Sequence, residues 1–256
     1  MSLSFAQGQR EINSAGLKHL SLSLFFVSLL LALPSNAHGQ GRRAQGYGQR
    51  AVVVDERLAV LRDGPGLSAR LLRRLSRGRM VSVLETKRTR DGLTFHRVAV
   101  TRRTRGWLQA ESIVSAARRG DDSRFFKFIR ASKDFDLISR ASIFLETFPR
   151  SQFRPAVLLL LGDAAEESAQ KLSREAARRL DEDEMKAGGA PLFSYFMSYN
   201  GLDRYHRQGV GFVFDAKRKQ YHYDGACWRE IVRRHPQSEE ARAARQRLSL
   251  PAIAEK

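Results

Sequence analysis

Cysteine is nearly missing from this chain. Cys227 is the only one in 256 residues, so no intramolecular disulfide can staple the fold. Acidic residues are scarce as well: 27 Asp and Glu stand against 45 Lys and Arg, a net charge of +18 and a pI near 10.9. Such an excess disfavours cationic partners and favours phosphate-rich or carboxylate-rich ones. Arginine on exposed faces also accounts for the charge without any partner, because net charge speaks to association and solubility rather than to fold. Long apolar runs are absent beyond one near the N-terminus, so no second segment reads as membrane-spanning. Metal-ligand spacing is missing too. His206, His222 and His235 lie near Asp224 and Tyr223, but no pair has the H-x-x-x-H interval that a zinc site on one helix needs. Neither a metal nor a cofactor is expected.

What is present begins with a leader. Arg10 and Lys18 precede an apolar run from Leu20 to Leu33, which closes on Pro34-Ser35-Asn36-Ala37 with small residues at Ser35 and Ala37. A run of about fourteen residues is short for a bilayer span and suits a signal-peptide core. Residues 1–37 are therefore expected to be a signal peptide; an uncleaved anchor is the alternative. Cys227 lies far from the cleavage site, so the exported chain is expected to be periplasmic or secreted rather than a lipoprotein. Membrane contact is expected only during export. Specific nucleic-acid binding is disfavoured, because export removes the usual access.

Residues 38–50 (HGQGRRAQGYGQR) hold almost nothing to bury and read as a flexible basic linker. From 51 to 115 the pattern becomes β-like. Val52–Val54, Leu58–Leu61, Met80–Leu84, Phe95–Val100 and Gly106–Leu108 are short runs of β-branched and large apolar residues. Gly64-Pro65-Gly66, Arg77-Gly78 and Asp91-Gly92 supply turns. Five short strands in about 65 residues bury a core by curling into a small barrel.

The order Leu61-Arg62-Asp63-Gly64-Pro65, Val81-Ser82-Val83-Leu84, Gly106-Trp107-Leu108 and Ile113-Val114 resembles a bacterial SH3-like domain, over about a quarter of the chain. Val60-Leu61-Arg62 and Phe95 stand where that family usually has Asn-Val-Arg and an aromatic, commonly Trp. The resemblance implies a small barrel that serves exported proteins as a binding module.

Beyond Arg118–Asp122, a linker or helix start, the period turns helical. Leu137, Ala141, Phe144, Leu145 and Phe148 form a stripe ending at Pro149, and Ser151 is placed to cap the next helix. Pro191 opens an aromatic helix carrying Phe193, Phe196 and Tyr199, and alternation at Phe212/Phe214 and Tyr221/Tyr223 predicts a short β-hairpin within 211–223. Asp224 can cap a last helical pair, in which Ser238 starts the second helix. Phe144–Arg154 and Ile231–Arg242 share an apolar helix, an aromatic-Pro-x-Ser turn and a second helix. That pattern resembles the helical hairpins of tetratricopeptide-type proteins. The interval between Pro149 and Pro236 is not a multiple of the usual period of about 34 residues, so the array is irregular. The fold class expected is multidomain: a small SH3-like β-barrel at 51–115, then an all-α helical-hairpin, tetratricopeptide-like domain at 123–249.

Three arginine-rich stretches mark candidate ligand residues: Arg70, Arg73, Arg74, Arg77 and Arg79; Lys87, Arg88 and Arg90; and Arg102, Arg103 and Arg105. If the three lie on one side they form an anion-binding face, since guanidinium forks hold carboxylate or phosphate bidentately. Arg73, Arg74, Arg88, Arg103, Arg105 and Trp107 are the ligand-binding candidates. Cys227, five residues after His222, invites a nucleophile reading, but its place beside Trp228 on an apolar helix side suits a buried small hydrophobe. The chain is expected to be non-enzymatic. Its barrel would dock on an anionic cell-wall or envelope polymer such as peptidoglycan, and a groove of its helical domain would hold a protein partner. A purely structural protein and an envelope or peptidoglycan hydrolase with an unseen active site are the rivals.

Overall fold

Alternation along one strand joins the two halves of this protein. The fold is that of a computed structural model, which describes residues 48–249; the leader expected at 1–37 and the linker up to residue 47 lie outside them. Strand β1 (Gln49–Val53) sends Ala51 and Val53 into one apolar cluster with Ala59, Leu61, Leu75, Val81, Val98, Leu108 and Ile113. Val52 and Val54 enter a second cluster with Val114 and the helices that follow. Successive side chains point to opposite faces of a strand, so the run Ala51-Val52-Val53-Val54 is buried on both sides.

The remaining strands of the sheet are β2 (Val60–Arg62), β3 (Leu71–Arg74), β4 (Met80–Arg88), β5 (Thr94–Ala99), β6 (Arg105–Gln109) and β7 (Ile113–Val114). They pair antiparallel in the order β3-β2-β6-β5-β4-β1-β7. Seven strands replace the five expected, and the sheet stays open: β3 and β7, at its two margins, do not pair. Both are short, and β3 carries a register shift opposite Leu61/Arg62, so neither offers the ladder that closure needs. The Asp91-Gly92 turn between β4 and β5 works because Gly92 takes φ +82°.

Eight helices follow among the described residues: α1 (Asp121–Arg130), α2 (Asp134–Thr147), α3 (Arg154–Ala177), α4 (Glu182–Gly188), α5 (Leu192–Asn200), α6 (Asp203–His206), α7 (Ala226–Arg234) and α8 (Glu239–Leu248). A two-stranded ribbon, β8 (Phe212–Asp215) with β9 (Gln220–Tyr223), interrupts them, so the second half is not all-α and the chain as a whole is mixed α and β. Helix α3 is the axis. Its small and apolar residues Val157, Leu158, Leu161, Gly162, Ala165, Ala169 and Ala176 are buried at helical spacing and face α2, β9, α5 and α7.

One expectation changes here. Ser151 does not cap α3; its Oγ donates to Asp122 at 2.8 Å, and the helix starts two residues beyond the expected first turn, at Arg154 with Pro155 in that turn. Ser238 does cap α8, accepting from the Ala241 N–H. The aromatic side chains of the helical half differ in burial. Phe196, Tyr205, Tyr221, Tyr223 and Trp228 are core, whereas Phe193 and Tyr199 are 51% and 46% exposed. No helix among the described residues is long and apolar enough to cross a membrane.

Candidate binding face

Register sets the neighbours of Trp107. Along β6, Gly106 and Leu108 are buried, so Arg105, Trp107 and Gln109 turn outward. Trp107 stands opposite Arg62 of β2 and Arg97 of β5, and Arg105 stands opposite Ala99. Directly opposed residues share a face. Trp107 is thus flanked on this face by two arginine residues, with Arg105 two residues along. Arg74, opposite Val60, belongs to this face as well. Arg62 is half-buried and donates to the Ala69 carbonyl at 2.7 Å, while Arg97 meets Glu85 only at 3.7 Å. Toward its other end the face is covered, for Phe95, opposite Gln109, is buried. An aromatic side chain with arginines on the same face suits carboxylate-bearing, ring-containing ligands, which can stack on the one and be held by the others.

The three basic stretches do not share one side. Arg88 closes β4 opposite Thr94, and Arg103 sits in the turn after Ala99, so the six residues of β5, roughly 20 Å, separate them. Arg73 is opposite Leu61, a core residue, and so lies on the other face at the sheet margin. Arg77 is committed elsewhere: it binds Asp136 at 2.9 Å and Glu56 at 3.4 Å, with its side chain 10% exposed. Of the expected candidates, Arg74, Arg105 and Trp107 share the outward face. Arg62 and Arg97, which join them, carry a sequence signal only once the strands are paired.

A second arrangement holds the sheet to the helices. Asp121, buried at the start of α1, accepts from the Ser115 N–H and from Arg118 Nε, both at 2.8 Å. Arg118 reaches on to the Ile113 carbonyl at 2.9 Å and to His96 Nε2 at 2.6 Å. A guanidinium only donates, so Nε2 accepts and Nδ1 carries the proton toward Thr86 Oγ1, 2.8 Å away. Burial, and then the charge of Arg118, lower the His96 pKa below its usual value; Arg124 acts in the same direction, and Asp121 and Glu111 oppose it. A base with a depressed folded pKa contributes stability that is complete above about pH 6.5, the unfolded value, and is lost as pH falls through the folded one. The thermal midpoint is therefore expected to fall between pH 7.5 and 5.5, and His96→Gln is expected to flatten that slope. An equal slope in the variant would rule His96 out as its source.

His222, Tyr223 and Cys227 are tied to α3 and to one another by hydrogen bonds. Glu166 of α3 binds His222 Nδ1 and the Tyr223 N–H, both at 2.7 Å, and also meets Gln170. Burial pushes the Glu166 pKa upward, but the hydrogen bonds from His222, Tyr223 and Gln170 outweigh it and hold the carboxyl below its ordinary range. Ser173 Oγ accepts from the Tyr221 N–H at 2.9 Å, so α3 clamps β9 at two points. The Cys227 thiol is pushed up to about 11, chiefly by burial, which opposes thiolate formation. Among the described residues no group of three or more His, Cys, Asp or Glu side chains is placed to hold a metal ion.

Between α1, α3 and α8 lies an apolar groove of about 300 Å³, floored by Phe126, Leu159, Leu160 and Ala243 and rimmed by Arg130 and Glu239. Comparison with protein families, with curated proteins and with solved structures finds no match to this chain.

Proposed function

We propose that this chain is an exported, non-catalytic binding protein. In this reading the sheet is an SH3-like module that docks on an anionic cell-wall or envelope polymer such as peptidoglycan, and the helical half, tetratricopeptide-like in its hairpins, holds a protein partner. The observation that carries it is Trp107 between Arg62 and Arg97, with Arg105 and Arg74 on the same outward face. Two further features support it. The raised Cys227 pKa disfavours a thiol nucleophile, and the groove of α1, α3 and α8 offers an apolar floor with charged rims to a partner.

Co-sedimentation of the full chain with purified peptidoglycan tests it. Pelleting is expected at low salt and is expected to weaken as salt rises, because exposed charges are screened over about 10 Å at 0.1 M. Trp107→Ala with Arg105→Ser is expected to weaken binding by about tenfold, the loss of one strong anchor and one fork. Absence of pelleting, or pelleting untouched by the double variant, would remove the reading. Release of soluble wall fragments would replace it with a hydrolase.

A further inference from the structure

The two margins of the sheet are treated differently. At β7, Ile113 and Val114 are fully buried, and the Ile113 carbonyl is taken by Arg118 at 2.9 Å and Arg124 at 2.5 Å. That edge is sealed by side chains of α1 and of the segment before it. At β3, all four residues are exposed, and among the described residues β2 is the only strand paired with them. Leu71 and Leu72 are 49% and 43% exposed, and Leu67 just before them 54%.

The backbone of β3 is available as well. Leu75 N–H donates to the Ala59 carbonyl and Asp63 N–H to the Arg70 carbonyl, which fixes the inward-bonded positions. Inward and outward residues alternate in an antiparallel ladder, so the N–H and C=O groups of Arg74 turn to the open side. Leu71 and Leu72 fall between bonded positions, opposite the single residue Arg62, and leave further groups outward.

We propose that the β3 edge, Leu71–Arg74, takes up an extended acidic peptide segment as an eighth strand. Charge selects that occupant. Arg70 is engaged by Asp63, but Arg73 and Arg74 make no ion pair among the described residues. A second copy pairing antiparallel through β3 would set its arginines against Leu71 and Leu72 and leave four guanidinium groups on one short ladder with no carboxylate among them, and charged edges of this kind resist self-association. A strand carrying two adjacent carboxylates, followed by two apolar residues, reverses that repulsion. Its carboxylates oppose Arg74 and Arg73, and its apolar pair opposes Leu72 and Leu71 when it runs antiparallel. Main-chain bonds then supply affinity, and the arginine and leucine pairs supply selection.

The test is fluorescence anisotropy of the full chain with a labelled, end-blocked peptide that has two glutamates followed by two valines. Saturable binding is expected, weaker at higher salt. It is expected to fall by about tenfold or more with Arg73→Glu plus Arg74→Glu, two exposed charge pairs becoming two repulsions. A peptide of the same sequence with alternate backbone nitrogens methylated keeps its charge and loses its donors, and it is expected not to bind. Equal binding of the methylated peptide would reduce the contact to charge alone and overturn the proposal. So would absence of saturable binding, or equal binding of the glutamine-for-glutamate peptide. Concentration-dependent self-association abolished by the double variant would make the occupant a second copy, and that also overturns it. Because Arg74 also lies on the outward face, the two sites are separated by Trp107→Ala with Arg105→Ser, which leaves β3 intact: that protein is expected to bind the peptide as the parent does, and loss of peptide binding in it would place the peptide on the outward face and overturn the proposal.

Discussion

Trp228→Ala is expected to cost about 3–5 kcal/mol of folding stability, the range for deleting a large buried aromatic. Trp228 is 0% exposed and meets Tyr223 edge to face, with ring centroids 5.2 Å apart. Its indole lies on Gly162 of α3, so one side chain ties α7, β9 and α3 together. Against a typical total of about 5–15 kcal/mol, such a loss moves a urea midpoint far enough to measure directly. A companion variant gives the sign. In a helix interior, Gly→Ala ordinarily stabilises by about 0.5–1 kcal/mol. At Gly162 the added Cβ would sit 2.5 Å from Trp228 Nε1 and 2.9 Å from Cε2, with the indole held in the core. Gly162→Ala is therefore expected to destabilise, by about 1–3 kcal/mol as overpacked sites do. A stabilised Gly162→Ala protein, or a Trp228→Ala loss below about 1 kcal/mol, would mean that this contact does not hold the helical half together.

Asp121→Ala is expected to cost about 2–4 kcal/mol, because it leaves the Ser115 N–H and Arg118 Nε without their acceptor and removes the carboxylate that faces Arg124. The carboxylate side chain is 6% exposed, and Arg118 and Arg124 converge on it from the two sides of the chain reversal. Those arginines are 31% and 39% exposed, so water recovers part of their solvation and the cost stays below that of a fully buried triad. Asp121→Asn keeps one acceptor oxygen and is expected to lose less. Trypsin reads the same event locally. Release of Arg118 from Asp121, His96 and the Ile113 carbonyl should speed cleavage after Arg118 and Arg119 relative to sites elsewhere. Unchanged cleavage in Asp121→Ala would show that the junction is held by the apolar contacts alone.

The parts of the fold set by local chemistry were legible before pairing was known. Asp91-Gly92 and Gly64-Pro65-Gly66 stand at turns, and the alternation of Phe212/Phe214 with Tyr221/Tyr223 coincides with β8 and β9. Ser238 reads as a cap and is one. Long-range partners were not legible. Leu71-Leu72-Arg73-Arg74 has neither period two nor a breaker inside it, so it read as a basic strip and not as a margin strand. Ser151 has a cap's spacing from Pro149 and its Oγ accepts from the Phe153 N–H at 3.3 Å, but a turn at 152–153 intervenes and α3 begins only at Arg154. The same divide runs through the candidate face. Trp107 and Arg105 sit in one strand and can be picked from it, whereas Arg62 and Arg97 come opposite Trp107 from strands 45 and 10 residues earlier through register alone. Arg118 resembled a linker charge, since its acceptors on His96 and Ile113 exist only after β5 and β7 are in place.

Because Val52 and Val54 of the first strand and its extension face the helices while Ala51 and Val53 face the sheet interior, no flexible joint separates the two halves. A protein ended near residue 115 would present a greasy stripe of Val52, Val54 and Val114 to water. Any pull on Trp107 would instead travel across β5, β4 and β1 into the helices as into a single lever, so whatever grips the outer surface also fixes the orientation of the far end.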